Sequence, residues 1–162
     1  MEEQVHDTRT WSVGVIADTH GLLRDEAVEA LRGVDLIVHA GDVGKPEVLE
    51  RLRTVAPVMA VRGNNDHGTW ATVLPQTLMV QLGGALLYVI HDRAELEVPA
   101  EDEGIAVVIS GHSHRPSLEQ TGEVLFLNPG SAGPRRFSLP VGVARLAIRE
   151  GHAQVELVDL PV

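Results

Sequence analysis

Seven side chains of metal-ligand type, Asp18, His20, Asp42, Asn64, His91, His112 and His114, stand directly after five apolar runs at residues 11–17, 36–40, 57–62, 85–90 and 105–110. Mixed carboxylate, amide and imidazole donors suit transition-metal ions. In open α/β sheets, binding sites form beyond the carboxyl ends of the strands. If the five runs are strands, loops far apart in sequence can therefore meet at one edge. Three of the seven follow a glycine at once, as Gly41-Asp42, Gly63-Asn64 and Gly111-His112. Taken singly, each has a blander reading. Asp18 could cap a helix, Asp42 could sit in a turn, Asn64 could tolerate a left-handed backbone, and His91 could be merely hydrogen-bonded. Those readings explain each residue but not the repeated pattern. His39, inside an apolar run, reads as a satisfied interior or supporting histidine, and His6 and His152 as solvated.

The elements that must position these residues fall into two halves. The run 12–17 is nearly all apolar, as expected of a strand covered on both faces. Leu23, Ala27, Ala30 and Leu31 follow helical spacing, with Gly33 as the stop. A strand at 36–40 precedes a second helix that begins at Pro46 and carries Val48, Leu49, Leu52 and Val55 on one face. A third strand at 57–61 completes a β-α-β-α-β order, which predicts a parallel sheet with right-handed crossovers. In the second half, runs 77–82 and 85–90 flank Gly83-Gly84, a hairpin signal. Residues 94–103 are polar, contain Pro99, and allow at most a short helix. Short strands are expected near 117–120, 124–127, 141–148 and 153–158, with turns at Thr121-Gly122 and Glu150-Gly151.

Composition narrows the function classes. The 162 residues fit one domain, expected over 11–162, with residues 1–10 as a flexible N-terminal tail. Acidic residues outnumber basic ones 23 to 13, a net charge of −10. That balance disfavours a long nucleic-acid partner, which needs clustered Lys and Arg on phosphates. Aromatics at 3% offer little base-stacking surface. A small anionic substrate stays compatible, because bound cations reverse the sign locally. Without cysteine there is neither a disulfide nor thiolate chemistry. The start lacks the apolar segment of a signal peptide, and no run is long enough to span a bilayer. A cytoplasmic protein without a membrane partner is expected, with self-association left open. Gly41-Asp42-Val43-Gly44-Lys45-Pro46 is no P-loop, since Pro46 stands where a hydroxyl should meet Mg²⁺.

The motifs Asp18-Thr19-His20-Gly21, Gly41-Asp42-Val43, Gly63-Asn64-Asn65-Asp66, a lone His91, Gly111-His112-Ser113-His114 and the turn Asn128-Pro129-Gly130-Ser131 occur in this order. In order and spacing they resemble the calcineurin-like metallophosphoesterases, most of all the small YfcE-type phosphodiesterase branch, over residues 11 to about 158. The resemblance implies a four-layer αββα sandwich of two mixed sheets with flanking helices. It also implies two divalent metal ions, with Mn²⁺ the first expectation and Fe, Zn, Ni or Co as alternatives. Asp18, His20 and His114 would hold one ion, Asn64, His91 and His112 the other, and Asp42 would bridge them. A metal-bridging hydroxide would attack a phosphoester, more readily a small diester than a monoester, with Asp42, Asn64 and His112 the residues closest to that chemistry. Many relatives carry a proton-donating His where Asn65 stands here, which leaves Asp66 or His67 as candidate acids. Asn65, Arg135 and Arg136 are candidate substrate contacts, the arginines through the phosphate. Relatives also commonly have Gly after the third-site His, where this chain has Asp92. The rival expectation is a non-catalytic metal-binding scaffold of the same fold, since fold alone never settles function.

Overall fold

A computed structural model describes residues 8–97 and 99–162. Of the expected tail, residues 1–7 lie outside the described residues. Within its last residues, Arg9 donates to Asp35 at 2.7 Å and rests over the Trp11 ring at 3.8 Å.

Apolar residues that β-branch and bury on both faces favour extended backbone packed between layers, and that is where the first three runs lie. Strands β1 (Trp11–Ile16), β2 (Leu36–His39) and β3 (Val58–Ala60) pair in parallel. Later, β9 (Gly142–Arg149) returns antiparallel to β1, and β10 (His152–Asp159) flanks β9, giving the order β10-β9-β1-β2-β3. The second sheet has the order β4-β5-β6-β8-β7. It starts with the hairpin β4 (Thr77–Leu82) and β5 (Ala85–Ile90), whose turn residues Gly83 and Gly84 both have positive φ, 56° and 80°. This is the backbone that a tight two-residue hairpin requires. Strands β5, β6 (Val107–Ile109) and β8 (Val124–Asn128) run parallel, and β7 (Ser117–Thr121) closes the edge antiparallel to β8.

The largest apolar cluster lies between the sheets. Val13, Val15 and Val38 from one face meet Leu87, Val89, Val107 and Ile109 from the other. On the outside of the first sheet, α1 (Asp25–Ala30) and α2 (Pro46–Arg53) bury Ala27, Leu31, Val48, Leu49 and Leu52 against Ile16 and Ile37. Helix α2 has Pro46 at its first turn, with Glu47 there and Arg51 and Arg53 in its last, as the helix dipole favours. Helix α1 is shorter than its apolar spacing predicts, because the chain leaves the helix at Leu31, which still packs inward. Outside the second sheet, the covering layer is reduced to a 3₁₀ turn at Arg93–Glu95 and the turns near 100–104, over Tyr88, Ile90, Ile105 and Val108. The fold is thus the expected α/β sandwich of two mixed sheets, with one outer layer thin. A further one-turn helix, α3 (Thr69–Thr72), lacks periodic apolar spacing in the sequence. Among the described residues, no helix is long and apolar enough to cross a membrane.

Candidate metal centre

The parallel strands of both sheets end on the same side of the molecule, so their following loops converge. Beyond β1 and β2 the two loops continue to pair through their backbones. Asp18 N–H donates to Gly41 O at 3.0 Å, His20 N–H to Asp42 O at 2.9 Å and Gly21 N–H to Val43 O at 2.8 Å. Asp18, His20, Asp42, His112 and His114 all have positive φ, between 47° and 72°. Non-glycine residues in this region are uncommon and store strain that concentrates at functional sites. Gly41 has φ 100°, and a Cβ there would come within 2.6 Å of His91 Nδ1. The glycine before Asp42 therefore lets the imidazole of His91 seat against the loop.

All seven candidate ligands meet in this cradle. His20 Nε2 lies 3.2 Å from His114 Nε2, with the rings stacked. Asp18 Oδ1 is 3.9 Å from His20 Nε2, 3.9 Å from His91 Nε2 and 3.7 Å from His114 Nε2. Asp42 Oδ2 is 3.7 Å from His20 Nε2 and 3.3 Å from His91 Nε2, so this carboxylate faces both histidine groups. Asn64 Oδ1 is 3.0 Å from His91 Nε2 and 3.3 Å from His112 Nδ1. Two triads, Asp18–His20–His114 and Asp18–Asp42–His91, have their ligand atoms within 4.8 Å of one another.

Supporting bonds set which ring atoms face inward. His91 Nδ1 donates to the Ala40 carbonyl at 2.8 Å, which turns Nε2 towards Asn64 and Asp42. Asn65 donates its backbone N–H to Asp42 Oδ1 at 2.9 Å and its side-chain amide to Oδ2 at 3.1 Å. Asn65, a candidate substrate contact by sequence, thus holds the Asp42 carboxylate. Asp66, expected as a proton donor, is buried and accepts from Gly63 N at 2.8 Å, Gly44 N at 2.9 Å and Val43 N at 3.2 Å. Three backbone donors tie this carboxylate between the second and third loops. His67 is exposed and lines the cleft beside Asn64, His91 and His112. Arg135 donates to the carbonyls of Leu139 and Val162. Arg136 stays near the cradle, where its charge bears on Asp18, His20 and His114. The turn at 128–131 braces the site. Asn128 Nδ2 donates to Gly111 O at 2.9 Å, and Ser131 Oγ donates to Asp18 O at 2.9 Å.

Crowding of like groups shows in their proton affinities. Burial, with Asp42 alongside, pushes Asp18 up to about 7 against the pull of His91. Asp42 is held well below the usual carboxylate range. Burial opposes its ionisation, but bonds from His91 and Asn65 outweigh it. Burial first, then Arg136 and His20, push His114 down to about 4. His20 is lowered by burial and by Arg136. His91 is raised, since Asp42 and the Ala40 carbonyl overcome its burial.

The donor set fits cations. Among the described residues, Asp18 Oδ1 is buried without a hydrogen-bond partner, as is His114 Nδ1. Buried polar atoms normally find partners, so each exception needs a reason. Ligand bonds of about 2.1 Å place neighbouring donor atoms around one ion about 3 Å apart, close to the spacings found between His20 and His114 and between His91 and Asn64.

Residues 12–151 match the family model of the calcineurin-like phosphoesterase superfamily domain. The chain belongs to this superfamily. It is 37% identical over 166 residues to a probable metallophosphoesterase of Methanocaldococcus jannaschii, covering 93% of this chain and 82% of that protein. It is 34% identical over 151 residues to the phosphodiesterase YfcE of Escherichia coli K12, covering 78% and 79%. The fold superimposes on a crystal structure of a predicted phosphoesterase from Streptococcus pneumoniae with a TM-score of 0.72 and 27% identity, over 94% of this chain and 91% of that one. These likenesses place the chain in a phosphoesterase family, with candidate metal-binding residues at the motif positions.

The cleft holds residues that the motifs do not mark. A cavity of about 420 Å³ next to His91 and His112 is lined by Arg62, Gln76, Asp92 and Glu95 as well as by Asn64 and His67. Arg62 donates to the Gln76 side-chain oxygen, which spans the rim between the loop after β3 and the start of β4. The one sequence signal for Arg62 was a charged residue ending an apolar run just before Gly63.

Proposed function

We propose that this chain hydrolyses small phosphodiesters at a binuclear centre held by Asp18, His20, Asp42, Asn64, His91, His112 and His114. The observation that carries the proposal is Asp18 Oδ1, which is buried and unpartnered yet lies 3.7–3.9 Å from the Nε2 atoms of three histidines. A cation in that position replaces the missing partner. Divalent ions bound there supply Lewis acidity and a water acidified towards neutral pH; Mn²⁺ is the first choice, and the donor types also admit Fe, Zn, Ni and Co.

Asp42, which faces both histidine groups, would be shared by the two ions, and Asn65 holds both of its oxygens. The Ala40 carbonyl holds the Nδ1–H of His91, so Nε2 is the ring atom that would meet the ion. Arg136 supplies positive charge on the side of Asp18, His20 and His114. His67, in the cleft wall, stands where it can protonate a leaving oxygen. The acidic surface and the size of the cleft favour a small substrate over a nucleic-acid polymer.

Metal-stripped protein, reloaded with Mn²⁺ and given bis-p-nitrophenyl phosphate or p-nitrophenyl phosphate, tests the proposal. Metal-dependent turnover with the diester preferred is expected, with two ions bound per chain. Two bound ions without turnover on either ester under any of the five metals, together with a tight protein partner, would instead favour the scaffold role.

A further inference from the structure

Asp92 occupies the position after His91, where the motif pattern carries glycine, and its carboxylate makes two different contacts. Oδ1 accepts the Ala94 N–H at 3.0 Å and so starts the 3₁₀ turn Arg93–Glu95. Oδ2 lies 3.7 Å from His112 Nε2. On the other edge of the same ring, His112 Nδ1 lies 3.3 Å from Asn64 Oδ1, inside the cradle. The ring of His112 is about half exposed and sits on a loop residue with φ 72°, so neither a strand nor tight packing fixes its orientation.

We propose that Asp92 is a positioning residue for His112. Its carboxylate faces the Nε2–H and so holds the ring with Nδ1 towards the ion that Asn64 and His91 would share. This inference rests on the ligation proposed above and adds to it a residue that the motif set does not contain. An imidazole ligand whose outer N–H faces a carboxylate is fixed in tautomer and orientation and binds its ion more strongly. The 3₁₀ turn gives Asp92 the rigidity for this, because the capping bond through Oδ1 restrains the whole carboxylate plane. Arg93 completes the bracing: it donates to Glu119 at 2.9 Å and lies 4.0 Å over the Phe126 ring, tying the turn to the second sheet. The thin outer layer on this side thus provides the fixed point for an exposed ligand.

The test uses the full chain with Zn²⁺, which is diamagnetic. Zn²⁺ affinity is measured by chelator competition, and the His112 ring is followed by ¹⁵N-histidine NMR. In the wild type, Nδ1 is expected to shift on Zn²⁺ binding while Nε2 keeps its proton. In D92A, the weaker Zn²⁺ step should lose roughly 10- to 100-fold in affinity, and the Nε2 proton should exchange faster with water. D92E, which keeps a carboxylate, should recover part of both. Affinity within twofold of wild type together with unchanged Nε2–H exchange would overturn the role of Asp92 while leaving the ligand set standing. Coordination of His112 through Nε2 would overturn it directly. Failure of the wild type to bind Zn²⁺ at all would remove the ligation reading and this inference with it. If D92A does not fold by circular dichroism, D92N decides through the same two readouts: it retains a capping oxygen, and an unchanged affinity and exchange rate there would refute the proposal.

Discussion

His39 should make this protein lose stability in mild acid, by an amount that can be isolated. The ring is fully buried under the first two loops. Gly41 N–H donates to its Nδ1 at 3.1 Å, so that atom must be unprotonated. Nε2 then carries the proton and donates to Thr19 Oγ1 at 3.0 Å, and Thr19 passes a bond to Val43 O at 2.8 Å. Every polar atom of the neutral ring is used, and a second proton has nowhere to go. Burial chiefly, with His91 nearby, pushes the group down from 6.5 to about 3. In the unfolded chain it titrates near 6.5. A folded-state value below the unfolded one means that the unfolded state takes up the proton first, so stability is full above about pH 6.5 and falls as the pH drops towards 3. At about 1.36 kcal/mol per unit, the loss attributable to His39 is about 2 kcal/mol at pH 5. Other groups titrate over the same range, so the quantity to measure is a difference of differences. Urea unfolding of wild type and His39→Gln, both metal-free, at pH 7.5, 6 and 5 should show the variant less stable at pH 7.5. The gap should narrow by about 2 kcal/mol at pH 5. A gap that stays constant with pH would refute the argument, since it would mean that His39 is charged in the native state or does not titrate between those limits.

Asp42→Ala should abolish metal-dependent diester hydrolysis while far-ultraviolet circular dichroism stays that of the wild type; full activity in this variant would contradict the bridging role. Gly41→Ala, whose Cβ would press within 2.6 Å of His91 Nδ1 at a φ of 100°, should cost on the order of 1–3 kcal/mol in chemical denaturation and weaken Mn²⁺ binding as His91 is displaced. Adding Mn²⁺ at about 100 times its dissociation constant should raise unfolding stability by about 2.7 kcal/mol, read as an increase in Tm, and a chelator should reverse it. Leu31→Ala, at a fully buried position between α1 and the first sheet, should cost about 2–5 kcal/mol without changing metal stoichiometry.

The strands were legible where sequence pattern and physical cause coincide. Residues 77–82 and 85–90 emerge with the expected bounds because Gly83-Gly84 leaves only one tight way to turn between two apolar runs. The runs at 57–62 and 105–110 yield strands of only three residues, Val58–Ala60 and Val107–Ile109, because the flanking residues already belong to the converging loops. The candidate ligands stood out because each loop starts where apolar pattern stops. Their supporters did not. Asp66 and Asn65 look interchangeable in sequence as polar residues after Asn64. Only the approach of the second loop gives one of them three backbone donors and the other the Asp42 carboxylate. Arg135 and Arg136 are equally alike as neighbours in one loop, and the direction of each side chain sends the first to the carbonyls of Leu139 and Val162. Long side chains on loops have no periodicity to reveal where they point.

The backbone ladder that carries the first two loops past the ends of β1 and β2 sets the order of events in assembly. Backbone hydrogen bonds, rather than ions, join Asp18 to Gly41 and His20 to Asp42, so the receptacle is finished before anything is put into it. Structural zinc domains work the other way, coupling capture to collapse. Here chelation should strip the ions from a chain that keeps its shape, and reloading should proceed at the pace of diffusion and dehydration, without a refolding step.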